Sequence, residues 1–189
     1  MNFADVTTSQ WEVVGSIALV LVLLLIVLLV MRKKRTDKLQ AKFGGAEYAR
    51  AVQAEGDRKQ AEAALEERAK RVDALHVRTL SPADRARFEE SWHRVQAHFV
   101  DGPAGAVTEA DQLLGDVMAT RGYPVGSFEQ RAADISVAHP LVLENYRTAH
   151  EIALRQTQGQ ASTEDLRQAM VHYRALFGQL VNDPGPYAA

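Results

Sequence analysis

The chain has 189 residues and no cysteine, which excludes disulfide bonds, thiolate metal sites and cysteine nucleophiles. Its formal charge is −2, but residues 32–75 carry 12 basic and 8 acidic side chains, whereas residues 76–189 carry 10 basic and 14 acidic ones. Nucleic-acid binding depends on clustered Lys and Arg, so the acidic C-terminal part argues against that class and no nucleic-acid partner is expected.

The first predicted element is the apolar segment at residues 13–31, VVGSIALVLVLLLIVLLVM, which has 19 residues and no charge. At about 1.5 Å per residue, a helix of this length spans roughly 28 Å, close to the hydrocarbon thickness of a bilayer. Fifteen of its residues are Leu, Ile or Val, and it is apolar on every side. These features predict a transmembrane helix and not an amphipathic surface helix.

The charges that flank this segment predict its orientation. Asp5 and Glu12 precede it, whereas four basic residues, at 32–35, follow it. Positive residues near the end of a span stay on the cytoplasmic side of a membrane. Residues 1–12 are therefore predicted to lie outside, with the C-terminal domain in the cytoplasm. A secretory signal has the reverse charge pattern, and export after cleavage is the alternative. The predicted membrane-interface residues, whose partner is the lipid bilayer, are Trp11, Arg32, Lys33, Lys34 and Arg35.

Residues 32–75, called the stem below, are predicted to form charged helix interrupted at Gly44-Gly45 and at Gly56. The stem has few large apolar side chains, which predicts a solvated helix without a core of its own. Its second half resembles a coiled-coil seam for only about two heptads, so a solvated helix lying against its own domain is favoured. The seam positions are Ala61, Leu65, Arg68, Val72 and Leu75.

Residues 76–181, called the bundle below, are predicted to form a small all-α array, and residues 182–189 a frayed tail. Ser81 and Pro82 have the residue types of a helix start, and Gly122 that of a helix end. Pro140 and Ser162 are predicted to begin two later helices. No alternating strand pattern of useful length follows the apolar segment. The sequence thus predicts five to seven helices after that segment.

No motif predicts an enzyme, a cofactor or a metal site. His93 and His98 are five residues apart and therefore lie on different faces of a helix. Glycine-rich nucleotide-binding motifs and the serine-hydrolase elbow are missing from the sequence. The favoured function is a protein-interaction or structural module on the cytoplasmic side of the membrane. The alternative is an enzyme with an unrecognised site near residues 121–150.

The candidate partner-binding surface lies in the least regular segment, RGYPVGSFEQRAADISVAHP. A loop rich in aromatic, Arg and Pro residues can form a recognition patch when rigid helices hold it. Alternatively, Tyr123 and Phe128 fill the junction between helices. The candidate residues are Tyr123, Pro124, Phe128, Arg131, His139 and Pro140.

Four blocks of the sequence resemble an uncharacterised family of bacterial proteins, often labelled "secreted", that carry an N-terminal hydrophobic segment and a helical domain. The blocks are FGGAEYARAV, LSPADRARFEESWHRVQAHFVDGPAGAVTEADQLL, RGYPVGSFEQRAADISVAHPLVLENYRTAHEI and STEDLRQAMVHYRALF. They fall between residues 39 and 180, and the chain departs from the family's shorter FGPEY-like form at residues 44–46. The resemblance implies a bacterial envelope setting and brings no catalytic residues. The "secreted" label conflicts with the orientation that the charges predict, and the charge pattern is preferred.

Overall fold

The computed structural model describes the backbone of residues 3–183 and the side chains of residues 15–183. Every regular element in this part of the chain is an α-helix, which confirms the predicted all-α class. The helices are α1 (Phe3–Phe43), α2 (Gly45–Glu55), α3 (Arg58–Asp73), α4 (Pro82–Asp101), α5 (Pro103–Arg121), α6 (Phe128–Ala138), α7 (Pro140–Thr157) and α8 (Thr163–Asn182).

Helix α1 runs without a break for 41 residues, from before the apolar segment into the stem. Its part Gly15–Phe43 is long and apolar enough to cross a membrane, and the large apolar side chains from Ile17 to Met31, such as Leu19 (61% exposed), face outward. Single-pass anchors and signal sequences share this property. Gly44 ends α1 with a φ of +79°, a backbone conformation that favours glycine, and the chain then enters α2.

The stem has a small hydrophobic core, contrary to the expectation from its charged sequence. Leu39 and Phe43 from the end of α1 pack against Tyr48 of α2 and against Leu65 and Ala69 of α3. Each helix contributes only one or two large side chains, so the sequence pattern of any single helix is too sparse to reveal this core. Three helices together bury them, and Phe43 is only 1% exposed.

The bundle has a larger core that α4, α5, α6, α7 and α8 line. The predicted helix starts are confirmed, because Ser81 and Ser162 accept hydrogen bonds from the backbone N–H groups of Asp84 and Asp165. Helix α8 has a stripe of helically spaced apolar residues that is buried throughout. Its members are Leu166, Met170, Tyr173, Phe177 and Leu180.

Two features attach the stem to the bundle. Helix α3 packs against α6, and Val137 of α6 contacts the core of the stem. The connection between α3 and α4 is tied down by Arg78, whose backbone N–H donates to the Arg121 carbonyl at 2.8 Å. The fully buried Arg121 in turn donates to the Leu180 carbonyl at 2.7 Å and to Asp183 at 2.6 Å. A buried guanidinium thereby fixes the end of α5 against the end of α8.

Candidate functional site

Four of the predicted membrane-interface residues, Arg32, Lys33, Lys34 and Arg35, lie in the turn of α1 that follows the apolar segment. Arg32, Lys33 and Lys34 are exposed. Arg35 differs, because it forms a bidentate ion pair with Glu66 of α3, with Nε–Oε1 and Nη2–Oε2 distances of 2.6 and 2.8 Å. The side chain of Trp11 lies outside the described residues. The first basic turn after the apolar segment is therefore joined directly to α3.

Next to this basic turn, a buried hydrogen-bond network surrounds Glu62 of α3. Its carboxylate accepts from the Thr36 hydroxyl at 2.6 Å and from the Tyr48 hydroxyl at 2.8 Å. Arg58 lies over both hydroxyls, with its Nη2 donating to Thr36 at 2.7 Å and its Nε to Tyr48 at 3.0 Å. Four side chains from α1, α2 and α3 are thus fixed by one another.

The protonation state of Glu62 follows from this network. Burial alone raises the pKa of a carboxyl group, but the hydrogen bonds from Thr36, Tyr48 and Arg58 outweigh burial, and the pKa of Glu62 is lowered. Glu62 is therefore an anion at neutral pH, and its charge is offset by Arg58. The Glu62 carboxylate therefore has no proton to donate at neutral pH.

A cavity of about 720 Å³ opens between this network and the exposed basic turn. Five basic side chains and two acidic ones line it, so its net charge is +3. Leu29, in the last turn of the apolar segment, also lines it. The residues that line it are Leu29, Arg32, Lys33, Arg35, Thr36, Asp57, Arg58, Lys59 and Glu62.

A second charged site joins the stem to the bundle. Glu47 of α2 is 5% exposed and accepts hydrogen bonds from Arg68 of α3 at 2.6 Å and from Arg147 of α7 at 2.9 Å. Arg50 adds a bidentate pair with Glu144 of α7, with both distances 3.0 Å. A cavity of about 350 Å³ lies beside these groups. Because each cation has a carboxylate partner, this site is best explained as the ionic joint between the two parts of the chain.

A third charged site lies about one turn further along α3. Arg71 of α3 donates to Asp134 of α6 at 3.0 Å, and Asp134 is fully buried. The side-chain amide of Gln130 donates to the same carboxylate at 2.9 Å. Together with Glu47, this pair shows that ion pairs and hydrogen bonds join the stem to the bundle, in addition to the apolar contact of Val137.

The six candidate partner-binding residues do not form one exposed patch. Tyr123 and His139 are buried, with 4% and 9% of their surfaces exposed. Phe128 stacks on the His150 ring with centroids 3.6 Å apart, and Arg131 pairs with Asp111 of α5 at 2.9 Å. Pro124 is exposed and Pro140 is half-buried. Four of the six thus pack at the junction between α5, α6 and α7, and partner binding there stays a prediction.

The alternative of an enzyme site near residues 121–150 depends on the buried ionisable side chains at this junction. Burial raises the pKa of Tyr146 on α7, as it does for Tyr173 on α8, and the nearby Asp111 adds to both shifts. Burial also lowers the pKa of His150. These hydroxyls keep their protons at neutral pH, so neither tyrosine is activated as a base or nucleophile. Among residues 15–183, no group of three or more His, Asp and Glu side chains is arranged to hold a metal ion.

The sequence pattern identified the basic turn but missed the residues that shape the cavity. Arg58 and Glu62 are an i, i+4 pair, which is a signal for a helix-surface ion pair and not for a buried network. Tyr48 is the one large aromatic residue of α2, and this was the available signal that α2 has a buried face.

No family model, curated protein or solved structure matches the chain. The resemblance to a bacterial envelope family therefore rests on the four quoted sequence blocks alone.

Proposed function

We propose that this chain is a single-pass protein of the bacterial inner membrane, with its N-terminus outside and its helical domain in the cytoplasm. In this proposal the domain acts through protein contacts, as an adaptor or structural component. One observation carries it: α1 passes from an exposed apolar segment directly into the core of the stem, where Leu39 and Phe43 are buried. A retained α1 thus belongs to the fold of the domain.

The rigid connection supports a structural role. From Met31 to Phe43, α1 extends about 18 Å beyond the apolar segment, at about 1.5 Å per residue. The described helix has no break along this distance, and the Arg35–Glu66 pair braces its first turn. A partner would therefore meet the domain at a fixed height and orientation above the bilayer, whereas a flexible linker would let the domain move freely.

The orientation is supported by charge. The segment is preceded by Asp5 and Glu12 and followed by Arg32, Lys33, Lys34 and Arg35. Because positive residues near the end of a span stay in the cytoplasm, this asymmetry favours the proposed topology over the opposite one.

Reporter fusions after Ala41 and after Val181 test the topology. Both positions are expected to give cytoplasmic signals, and the full chain is expected to resist alkaline carbonate extraction from membranes. Replacement of the four basic residues by Gln is the matched control, since it should yield a mixed or inverted population. Periplasmic activity from either wild-type fusion, or a mature protein whose mass lacks the apolar segment, would contradict the proposal.

Site-specific photo-crosslinking tests the interaction role. Two apolar side chains beside the candidate patch are exposed, Val125 by 88% and Leu141 by 93%. Photoreactive residues at these positions are expected to give discrete crosslinks in cells. Val100 on α4 is 81% exposed and provides the control position. Crosslinking that is equal at all three positions, or missing at 125 and 141, would count against a partner at this patch.

A further inference from the structure

The basic cavity next to the apolar segment combines features that neither an anchor nor an ionic joint requires. Its volume of about 720 Å³ lies within the range of small-ligand sites, about 300–1,000 Å³. It faces the turn of α1 where the proposed membrane span ends. An occupant must therefore be compatible with the polar surface of a bilayer.

The positive charge of the cavity is in part unpaired. Among residues 15–183, the side chains of Arg32, Lys33 and Lys59 form no ion pair, while Arg35 is held by Glu66. The two acidic residues of the cavity already have hydrogen-bond partners. Glu62 accepts from Thr36, Tyr48 and Arg58, and the carboxylate of Asp57 caps α3 by accepting from the Gln60 N–H at 2.9 Å. Three free cations thus surround a space whose carboxylates are occupied.

One of the cations that line the cavity is held in place by neighbouring side chains. Arg58 donates hydrogen bonds to the hydroxyl groups of Thr36 and Tyr48, so its guanidinium group is oriented before any ligand binds. Preorganised guanidinium groups suit phosphate oxygens, which accept two parallel N–H bonds from one arginine. Flexible lysines beside such a group add charge with little demand on geometry.

The edge of the cavity that is nearest to the apolar segment is formed by an apolar side chain. Leu29 is 54% exposed and lies one turn before Lys33 on α1. A soluble anion would gain nothing from this side chain. An amphiphile would place its anionic group among the cations and its hydrocarbon along Leu29 and the preceding leucines.

We propose that this cavity binds the phosphate headgroup of an anionic glycerophospholipid, with Arg32, Lys33, Arg58 and Lys59 contacting the phosphate and Leu29 contacting an acyl chain. The proposal rests on the membrane location proposed above. It adds a specific lipid class and a defined site, whereas a basic turn that only stops translocation would attract anionic lipids through charge alone.

Native mass spectrometry of the full chain in neutral detergent tests the site. The probes are dioctanoyl phosphatidylglycerol, dioctanoyl phosphatidylcholine and inorganic phosphate. Phosphatidylglycerol is expected to form an adduct at least about fivefold more abundant than phosphatidylcholine, since each nearby Lys or Arg strengthens the binding of anionic lipid. Inorganic phosphate is expected to form no adduct. A phosphate adduct as abundant as the lipid one would assign the cavity to a soluble anion and overturn the proposal.

A pair of double variants separates the site from general charge attraction. Lys33→Gln/Lys59→Gln removes two cations from the cavity, and Lys34→Gln/Lys38→Gln removes two exposed cations that do not line it. Both variants change the net charge by the same amount. The first is expected to reduce the phosphatidylglycerol adduct about fivefold or more, and the second by less than about twofold. Equal losses in both would overturn the proposal.

Membrane insertion is measured on the same samples, so the two proposals can fail separately. Carbonate-resistant chain without a lipid preference defeats the lipid site and leaves the membrane anchor in place. Chain that is extracted by carbonate defeats the anchor and the lipid site together. Helical content by circular dichroism verifies the fold of each variant, and Arg32→Gln/Lys33→Gln provides a second cavity variant if the first loses helix.

Discussion

Glu47 on α2 accepts a hydrogen bond from Arg147 on α7 at 2.9 Å, across 100 positions of sequence. The same carboxylate accepts from Arg68 on α3, so one buried anion joins two helices of the stem to the bundle. A pair of this kind is costly to break, because removal of one partner leaves the other charge without compensation.

Glu47→Gln is therefore expected to lower the free energy of unfolding by about 2–4 kcal/mol. Denaturant titration of the full chain in detergent, followed by circular dichroism, measures this change. Arg50→Gln is the matched control, because the Arg50–Glu144 pair is exposed and is expected to contribute less than about 1 kcal/mol. Equal destabilisation by both substitutions would contradict the assignment of Glu47 as the joint.

Phe43 is the residue through which α1 becomes part of the domain, since it lies 1% exposed in the core of the stem. Phe43→Ala is expected to cost about 3–5 kcal/mol locally and to loosen α2 and α3. Hydrogen exchange measured by mass spectrometry should show faster exchange in residues 45–73 than in the wild type, while α8 keeps its protection. Gln40→Ala, at an exposed neighbouring position of α1, should leave both regions unchanged. Faster exchange in α8 to the same extent would show that the two cores unfold as one unit.

The bundle could be predicted from sequence because its helices carry their own signals. Ser81, Pro140 and Ser162 begin helices where their types predict, and Gly122 ends one. The apolar stripe of α8 also has a helical period over about four turns, which is enough for one helix alone to reveal its buried face.

The stem could not be predicted in this way, for two physical reasons. Its core needs single residues from three helices, such as Phe43, Tyr48 and Leu65, and the seam of α3 is short and interrupted by a charged residue. Its joint to the bundle consists of ion pairs, and a charged side chain does not indicate its partner by type or spacing when the partner is 100 residues away. The same limit applied to the candidate site: the basic turn was visible, but the cavity depends on Arg58 and Lys59, which tertiary packing brings next to it.

Gly122 and Gly159 show two separate physical reasons why a turn can require glycine. Both have positive φ values, +97° and +68°, but a Cβ on Gly122 would lie 2.9 Å from the His76 carbonyl oxygen, whereas one on Gly159 would meet nothing within 4 Å. Gly159→Ala is expected to cost about 1 kcal/mol through backbone conformation alone. Gly122→Ala should cost more, by about 1–3 kcal/mol, because the α3–α4 connection must shift. Thermal unfolding of the two variants in parallel measures the difference, and equal melting temperatures would rule out the steric contribution.

Because His139 is buried, the free energy of unfolding is expected to depend on pH. Burial lowers the pKa of its imidazole below the ordinary 6.5, Arg121 lowers it further, and Asp183 only partly opposes this. Above pH about 6.5 the side chain is neutral in both states and contributes nothing. As the pH falls below that value, the unfolded chain takes up the proton first, so the free energy of unfolding decreases by up to about 1.4 kcal/mol per pH unit until the folded pKa is reached.

His139→Gln should reduce this slope between pH 6.5 and 5, while His93→Gln, at an exposed position, should not. Denaturant midpoints measured across that range give the slope, and an unchanged slope in His139→Gln would show that protonation of this buried ring does not limit stability.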